Sequence, residues 1–348
     1  MVTLAEMGAE PLPQIWQELR SLRSQKIGAA ARGDRRETFD AALEQAEQLF
    51  TAAAGVGTAT QPLLLFYGLS QLGRAIAASA PELSTKDKKY LLVGHGIDDG
   101  RQLQGAATVG LANQMIRGEE TGAFPTVAMA LHASSMRKAV PLGDLWGLLP
   151  YSERFPLPQN GRLTRLELRP SQGWGHDDRV EYVDLTGLPA ELKIEVDDPN
   201  VVDEAVVRQE WASLVAFLDR YPTLQGGKVT HSEMQRPPLA ADGSKLSIPM
   251  GFSRADGDRQ EAPERAPAYH GAQYVYPRLD DGHLPAHPFM LWWAVLYPLS
   301  RLARYYPNVW AKLTAISVNP QAAPIEFILR EGLRAVPEIA LRALRRAS

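Results

Sequence analysis

The stretch YGLSQLGR, Tyr67–Arg74, returns near the other end of the chain as YPLSRLAR, Tyr297–Arg304. Both copies read Tyr-x-Leu-Ser-x-Leu-x-Arg, and each follows an apolar run opened by a proline, at Gln61-Pro62 and at His287-Pro288. A proline costs little in the first turn of a helix, where its missing N–H has no intrahelical partner. Residues three and four apart are neighbours on a helix, so Leu69, Leu72 and Ile76 form one face and Tyr67, Ser70 and Arg74 an adjacent one. In the second copy Leu299 and Leu302 take the first role, and Tyr297, Ser300 and Arg304 the second. This spacing predicts two buried helices of one bundle that meet through their leucines.

Two fates are open to the paired arginines. Buried charges are usually matched, so Arg74 and Arg304 can pair with an internal carboxylate such as Glu326. Alternatively they converge, with Tyr67, Ser70, Tyr297 and Ser300, on a phosphate or carboxylate that guanidinium grips bidentately.

Outward from these stretches the chain changes character twice. Residues 1–121 read as helical: PQIWQELRSLR aligns Ile15, Leu19 and Leu22, and DRRETFDAALEQAEQLF opens at a capping Asp34. Thr58 or Thr60 is placed to cap the helix that carries Tyr67. The glycines flanking His95 in GHGIDDG predict a tight turn that could gather His95, Asp98 and Asp99. Residues 122–284 turn toward strands, through TVAMALH, RLTRLELRP, VEYVDLTG, ELKIEVDDP, KLSIPM and AQYVYPRL. One amphipathic helix, DEAVVRQEWASLVAFLDRYP, interrupts them with Val206, Trp211, Leu214, Val215 and Leu218 as its apolar face. The Pro- and Gly-rich stretch RADGDRQEAPERAPAYHG reads as a mobile surface loop. Residues 285–348 are helical again, with Trp292 and Trp293 as core residues. The expected fold is α+β: a helical bundle split in sequence by a β-rich middle.

The 348 residues, 45% hydrophobic and 22% charged with a net charge of -3, describe an ordinary globular chain without a strong overall field for nucleic acid. No cysteine is present, which removes disulfides, thiolate metal sites and a cysteine nucleophile. The N-terminus lacks the basic and apolar regions of a signal peptide, and the longest apolar run falls short of the roughly 20 residues of a spanning helix. A cytoplasmic protein without a membrane anchor is the expectation.

PLLLFYGLSQLGRAI with GHGI, then PLGDLWGLLP, then WWAVLYPLSRLARYYPNVW with APIEFIL, together resemble the YaaC-like family of bacterial proteins. The aromatic FYGLSQLGRAI helix and its HGI turn also resemble the helical hairpin of HEPN domains, found in ribonucleases, toxins and immunity proteins. That second resemblance implies a split HEPN-like bundle and, for a ribonuclease, an Arg followed after four to six residues by His for acid–base work. Three pairs fit the spacing, Arg169 with His176, Arg265 with His270 and Arg278 with His283, of which Arg265 and His270 are the preferred catalytic candidates. All three lie in predicted loops of the β-rich part, whereas the family motif belongs on a helix.

DDGHLPAH offers Asp280, Asp281, His283 and His287 as candidate ligands for a divalent metal, although Pro285 keeps the two histidines off one ordinary helix face. LQGGKVT lacks the first glycine and the Ser/Thr of a phosphate-binding loop. No cofactor is expected. No acid, base and anion holder assemble on one predicted element, which favours a non-enzymatic binding or scaffold protein working with partner proteins or nucleic acid (RNA or DNA), and the resemblances imply a place in a bacterial defence or stress system. The alternative is a HEPN-type or metal-assisted nuclease.

Overall fold

The computed structural model describes residues 12–100, 103–150, 152–158, 163–171, 180–194, 203–229, 235–242, 245–253, 266–269 and 271–346. Two compact units divide the chain, Met1–Leu163 with Leu279–Ser348, and Thr164–Arg278. The first unit is thus assembled from two separated segments. Its N-terminal segment carries α1 (Leu12–Leu22), α2 (Asp34–Ala54), α3 (Gln61–Ser79), β1 (Ile97–Asp98), α4 (Ala106–Val109), β2 (Met115–Gly118), α5 (Ala123–Ala130), β3 (Val140–Pro141) and α6 (Leu142–Leu148). The second unit carries β4 (Leu166–Pro170), β5 (Val180–Leu188), α7 (Glu204–Leu218), β6 (Lys228–Val229), β7 (Ala240–Asp242), β8 (Lys245–Ser253), β9 (Ala268–Tyr269) and β10 (Ala272–Val275). The C-terminal segment returns with α8 (Pro288–Tyr305), α9 (Pro307–Leu313) and α10 (Ala322–Arg346). The described residues therefore form an α+β protein with ten helices and two antiparallel sheets, ordered β1-β2-β3 and β6-β8-β5-β4-β10-β9, with β7 also on β8.

In the first unit α3 is the hub, packed by α2, α5, α8 and α10. It is apolar nearly all round, as a helix enclosed by others must be. Two glycines let neighbours approach its backbone. A β-carbon at Gly68 would lie 2.7 Å from the Phe50 ring of α2, and one at Gly73 would overlap the indole of Trp293 on α8. Trp293 is fully buried and also meets Phe66, Phe124 and Phe289 edge-on, at centroid distances of 6.3, 6.3 and 6.1 Å. Such aromatic pairs add stability beyond the area they bury.

The C-terminal carbonyls of α3 have no intrahelical donors, and one side chain supplies them. Arg35, buried at the start of α2, donates to the carbonyls of Ala78 (2.8 Å), Ala77 (3.0 Å), Ala80 (2.5 Å) and Leu83 (2.8 Å), with its guanidinium 5.0 Å from the Tyr90 ring centroid. Five donors in a planar fork make arginine suited to this task, and lysine is not. Burial pulls the Arg35 pKa down from its ordinary value, with the Tyr90 and Glu82 charges opposing.

In the second unit one face of the larger sheet is built on Leu166, Val183, Leu185, Ile248 and Met250, which share a core with Leu214 and Phe217 of α7. Glu210 belongs to the buried stripe of α7. It accepts from Arg236 Nε (2.7 Å) and from the Ile194 N–H (2.8 Å). Burial works against its charge, but the Arg236 and Ile194 bonds outweigh it and keep the carboxyl pKa below normal.

Several sequence expectations require correction. TVAMALH is not a strand but most of α5, whose buried residues Ala123, Phe124, Val127 and Ala128 follow helical spacing while Met129 points to solvent. Asp34 does not cap α2; Gly33 does, at φ +68°, and Asp34 is the first helical residue, where its charge still favours the positive end of the helix dipole. Thr60 occupies the N-cap position of α3 without a side-chain bond. The buried stripe of α7 is Val207, Glu210, Leu214 and Phe217, leaving Val215 60% exposed, because the pairing of Glu210 allows a carboxylate where an apolar residue was expected. ELKIEVDDP begins within the 3-10 turn Ala190–Leu192, and its residues 195–199 lie outside the described residues, as does most of the expected loop over 254–271.

Replacing Arg35 with Met should remove four carbonyl partners at once and lower stability by about 3–5 kcal/mol, with Arg35→Lys recovering little of it. Urea denaturation measures this; a loss under about 1 kcal/mol would show that water satisfies those carbonyls equally well. Gly73→Val should cost roughly 1–3 kcal/mol through overpacking. Adding Trp293→Leu to that variant should restore part of the loss, whereas strictly additive losses would place the strain elsewhere.

Candidate anion-binding site

The two copies of the repeat pack antiparallel, since Tyr67 meets Arg304 while Gly73 meets Trp293. Arg304 Nη1 donates to Tyr67 Oη at 2.5 Å. Phe66 lies against Tyr297, with centroids 5.6 Å apart. At this contact opens a cavity of about 400 Å³, lined by Leu63, Phe66, Tyr67, His95, Tyr297, Ser300, Arg301, Arg304, Tyr305 and Tyr306.

His95 reaches it from a turn whose geometry is fixed by α5. The carbonyls of Gly94, His95 and Gly96 accept from the N–H groups of Ala123 (3.0 Å), Phe124 (2.9 Å) and Glu119 (2.9 Å). Ala123 and Phe124 open α5 and have no intrahelical acceptor, so the turn satisfies the helix and the helix holds the turn. Gly96 is required there: it adopts φ +69°, and a β-carbon would fall 2.8 Å from the Thr121 carbonyl oxygen. The His95 ring then lies 5.7 Å from Phe66 and 5.8 Å from Tyr297, centroid to centroid.

Two arginines one helical turn apart have different electrostatic fates. Arg301 Nη1 donates to both oxygens of Asp99, at 2.7 and 2.8 Å, and Asp99 is fully buried. Burial opposes the Arg301 charge, but Asp99 and Tyr297 more than compensate and hold its pKa above normal. Arg304 is exposed, donates to Tyr67, and forms no ion pair among the described residues. Both guanidiniums lie near the Tyr305 ring, at 5.8 Å for Arg301 and 4.9 Å for Arg304, a cation–π arrangement that restrains them over a solvent-facing aromatic. His95 is pushed below its ordinary pKa by desolvation, then by Arg304 and Arg301, with Glu119 pulling the other way, so the imidazole is neutral at pH 7. Desolvation raises the Tyr297 phenol, which stays protonated.

Of the residues singled out by sequence, Tyr67, Tyr297, Ser300 and Arg304 line this cavity, whereas Ser70 and Arg74 do not. Ser300 Oγ donates to the Tyr297 carbonyl at 2.7 Å. Arg74 donates to the Leu91 carbonyl and to Gln71 Oε1 (3.2 Å), and burial lowers its pKa. Glu326 pairs within its own helix, accepting from Arg330 at 2.7 Å. The repeat is thus broken where function could reside: Arg301 stands where the first copy has Gln71. His95 and Asp99 were visible in GHGIDDG, but Arg301, Tyr305 and Tyr306 were missed, and the Gln71/Arg301 departure was the available signal.

Asp280 accepts from Ser134 Oγ (3.0 Å), the Arg137 N–H (3.1 Å) and the Gly282 N–H (2.9 Å), and Asp281 pairs with Lys138 at 2.6 Å. His283 is exposed, and His287 caps α8, its Nδ1 accepting from the Phe289 N–H at 3.1 Å. Among the described residues no group of three or more His, Asp or Glu is placed to hold a metal ion. Arg265 and His270 lie outside the described residues. No described helix is long and apolar enough to cross a membrane.

A family model described as YaaC-like Protein matches residues 12–344, nearly the whole chain, and the chain belongs to that family. Searches of curated proteins and of solved structures each found no match.

His287 gives a pH prediction. Burial, reinforced by the Arg346 charge, lowers its pKa from 6.5 to about 3, and only the neutral ring can accept at the cap. Between those values the unfolded chain binds a proton that the native chain does not, so stability should fall as pH drops below 6.5. In His287→Asn, where the amide can still cap, the dependence from about pH 6.5 to 5 should flatten. Parallel stability–pH curves for the two proteins would refute this assignment.

Proposed function

We propose that this member of the YaaC-like family is a binding protein whose cavity between α3 and α8 takes an anionic ligand, the ligand-loaded chain working with partner proteins or nucleic acid. The observation that carries the proposal is Arg304: an exposed guanidinium, restrained by Tyr67 and Tyr305, with no carboxylate to neutralise it among the described residues. Arginine so held has donors to spare for a carboxylate or phosphate. The cavity volume of about 400 Å³ suits a small molecule rather than a macromolecular surface alone.

In this reading the two-segment helical unit is a HEPN-like bundle that acts through binding, as a component of a defence or stress system. Its support is the antiparallel packing of the repeated helices and the absorption of one site arginine, Arg301, by Asp99. Tyr297 and Ser300 contribute an aromatic wall and a hydroxyl to the same cavity.

Thermal-shift titration and calorimetry with inorganic phosphate, benzoate and adenosine monophosphate test the proposal. At least one anion should bind, and Arg304→Gln should weaken it about 10- to 100-fold, the range for a hydrogen bond to a charged group. The variant should keep its melting temperature, because Arg304 is exposed. Equal affinity in Arg304→Gln would overturn the site, and cleavage of an RNA or DNA pool by the wild-type protein would favour a nuclease instead.

A further inference from the structure

We infer that the cavity selects a ring-bearing ligand of single negative charge, a carboxylate or a phosphodiester, over phosphomonoesters and other dianions. The inference rests on the anion-binding reading above and adds to it the charge and shape of the ligand.

The charge follows from summing the groups around the cavity. Arg301 and the buried Asp99 form a matched pair, with both carboxylate oxygens within 2.8 Å of one nitrogen. Arg304 contributes one positive charge without an ion-pair partner among the described residues. His95 adds none at neutral pH, since protonation is opposed by burial and by both arginines. Apart from these, the described charges that act on His95 and Tyr297 are carboxylates. Glu119 is close enough to His95 to act on its titration, and Asp98 acts on Tyr297 while standing 3.9 Å from Arg117. A monoanion therefore meets one cation. Among these described groups the second charge of a dianion would meet no free cation and would lie in the field of Glu119, partly desolvated, where like charges repel more strongly than in water.

Shape gives the ring. Phe66, Tyr297 and His95 form a three-ring wall with centroids 5.6 to 5.8 Å apart, and Tyr305 presents a further face that is 55% exposed. Offset or edge-on contact with a planar ligand is the arrangement such walls favour. Tyr67 accepts from Arg304, which leaves its own O–H as a donor beside the guanidinium, so the two together can grip both oxygens of a carboxylate or the two unesterified oxygens of a phosphodiester. A volume of about 400 Å³ lies near the small end of ligand pockets and holds a single ring with its acid.

Calorimetry of the full chain at about pH 8, where a phosphomonoester carries close to two charges, separates the cases. The probes are benzoate, methyl phenyl phosphate, phenyl phosphate and acetate. One or both ring-bearing monoanions should bind at least about tenfold tighter than phenyl phosphate and than ring-free acetate, a difference of about 1.4 kcal/mol. Whichever of benzoate and methyl phenyl phosphate binds better identifies the acid. Asp99→Asn, by releasing Arg301, should raise phenyl phosphate affinity relative to benzoate, and the wild-type series decides the matter whether or not that variant folds. Phenyl phosphate binding as tightly as the monoanions would overturn the inference while leaving the anion site standing. Acetate matching benzoate would remove the ring from it. Binding of none of the four would overturn the anion site itself.

Discussion

Trp293 occupies the space that any side chain at position 73 would need, and this contact between α3 and α8 sets where everything else in the helical unit can lie. Because the helices run antiparallel through it, fixing Gly73 on Trp293 fixes Phe66 beside Tyr297 and Tyr67 beside Arg304. The indole is enclosed by Phe66, Phe124 and Phe289 as well, so sliding one helix along the other would expose a large apolar ring and break several aromatic contacts together. One packing constraint therefore joins chain segments separated by the Thr164–Arg278 unit, and it places the cavity at their junction.

The repeat explains the scaffold, and its imperfections explain the site. A symmetric antiparallel pair would set each Tyr against the other copy's Arg, yet only Tyr67 and Arg304 make that bond. Arg74 turns instead to the Leu91 carbonyl, and the Gln71 position becomes Arg301, which is consumed by Asp99. The two copies thus have unequal charge, and the side where α8 ends collects the exposed guanidinium, Tyr305 and His95. Had Arg301 remained unmatched, the same geometry would present two cations at the cavity.

Local pattern carried much of this in the sequence. Apolar spacing located α1, α2, α3 and α8, and alternation located β4, β5 and β8, because burial on one face leaves a periodic trace. Where two periods coincide, the trace misleads: Val127, Met129 and Leu131 alternate like a strand, but Ala123, Phe124, Val127 and Ala128 are the residues that α5 buries. Glu210 was hidden for a different reason, since a carboxylate enters a buried stripe only with a partner, and Arg236 is remote in sequence. The same holds for Arg35, whose acceptors are backbone carbonyls without any sequence signature, and for Asp99 with Arg301. Pairings across the whole chain are set by packing, so GHGIDDG and YPLSRLARYY could be noticed separately but not joined.

The most direct measurement is a crystal structure of the chain soaked with the tightest-binding anion. The account predicts its acid oxygens within hydrogen-bonding distance of Arg304 and the Tyr67 hydroxyl, its ring against Phe66 and Tyr297, and the Arg301–Asp99 pair intact. An anion held elsewhere, or held by Arg301 after Asp99 has let go, would contradict it.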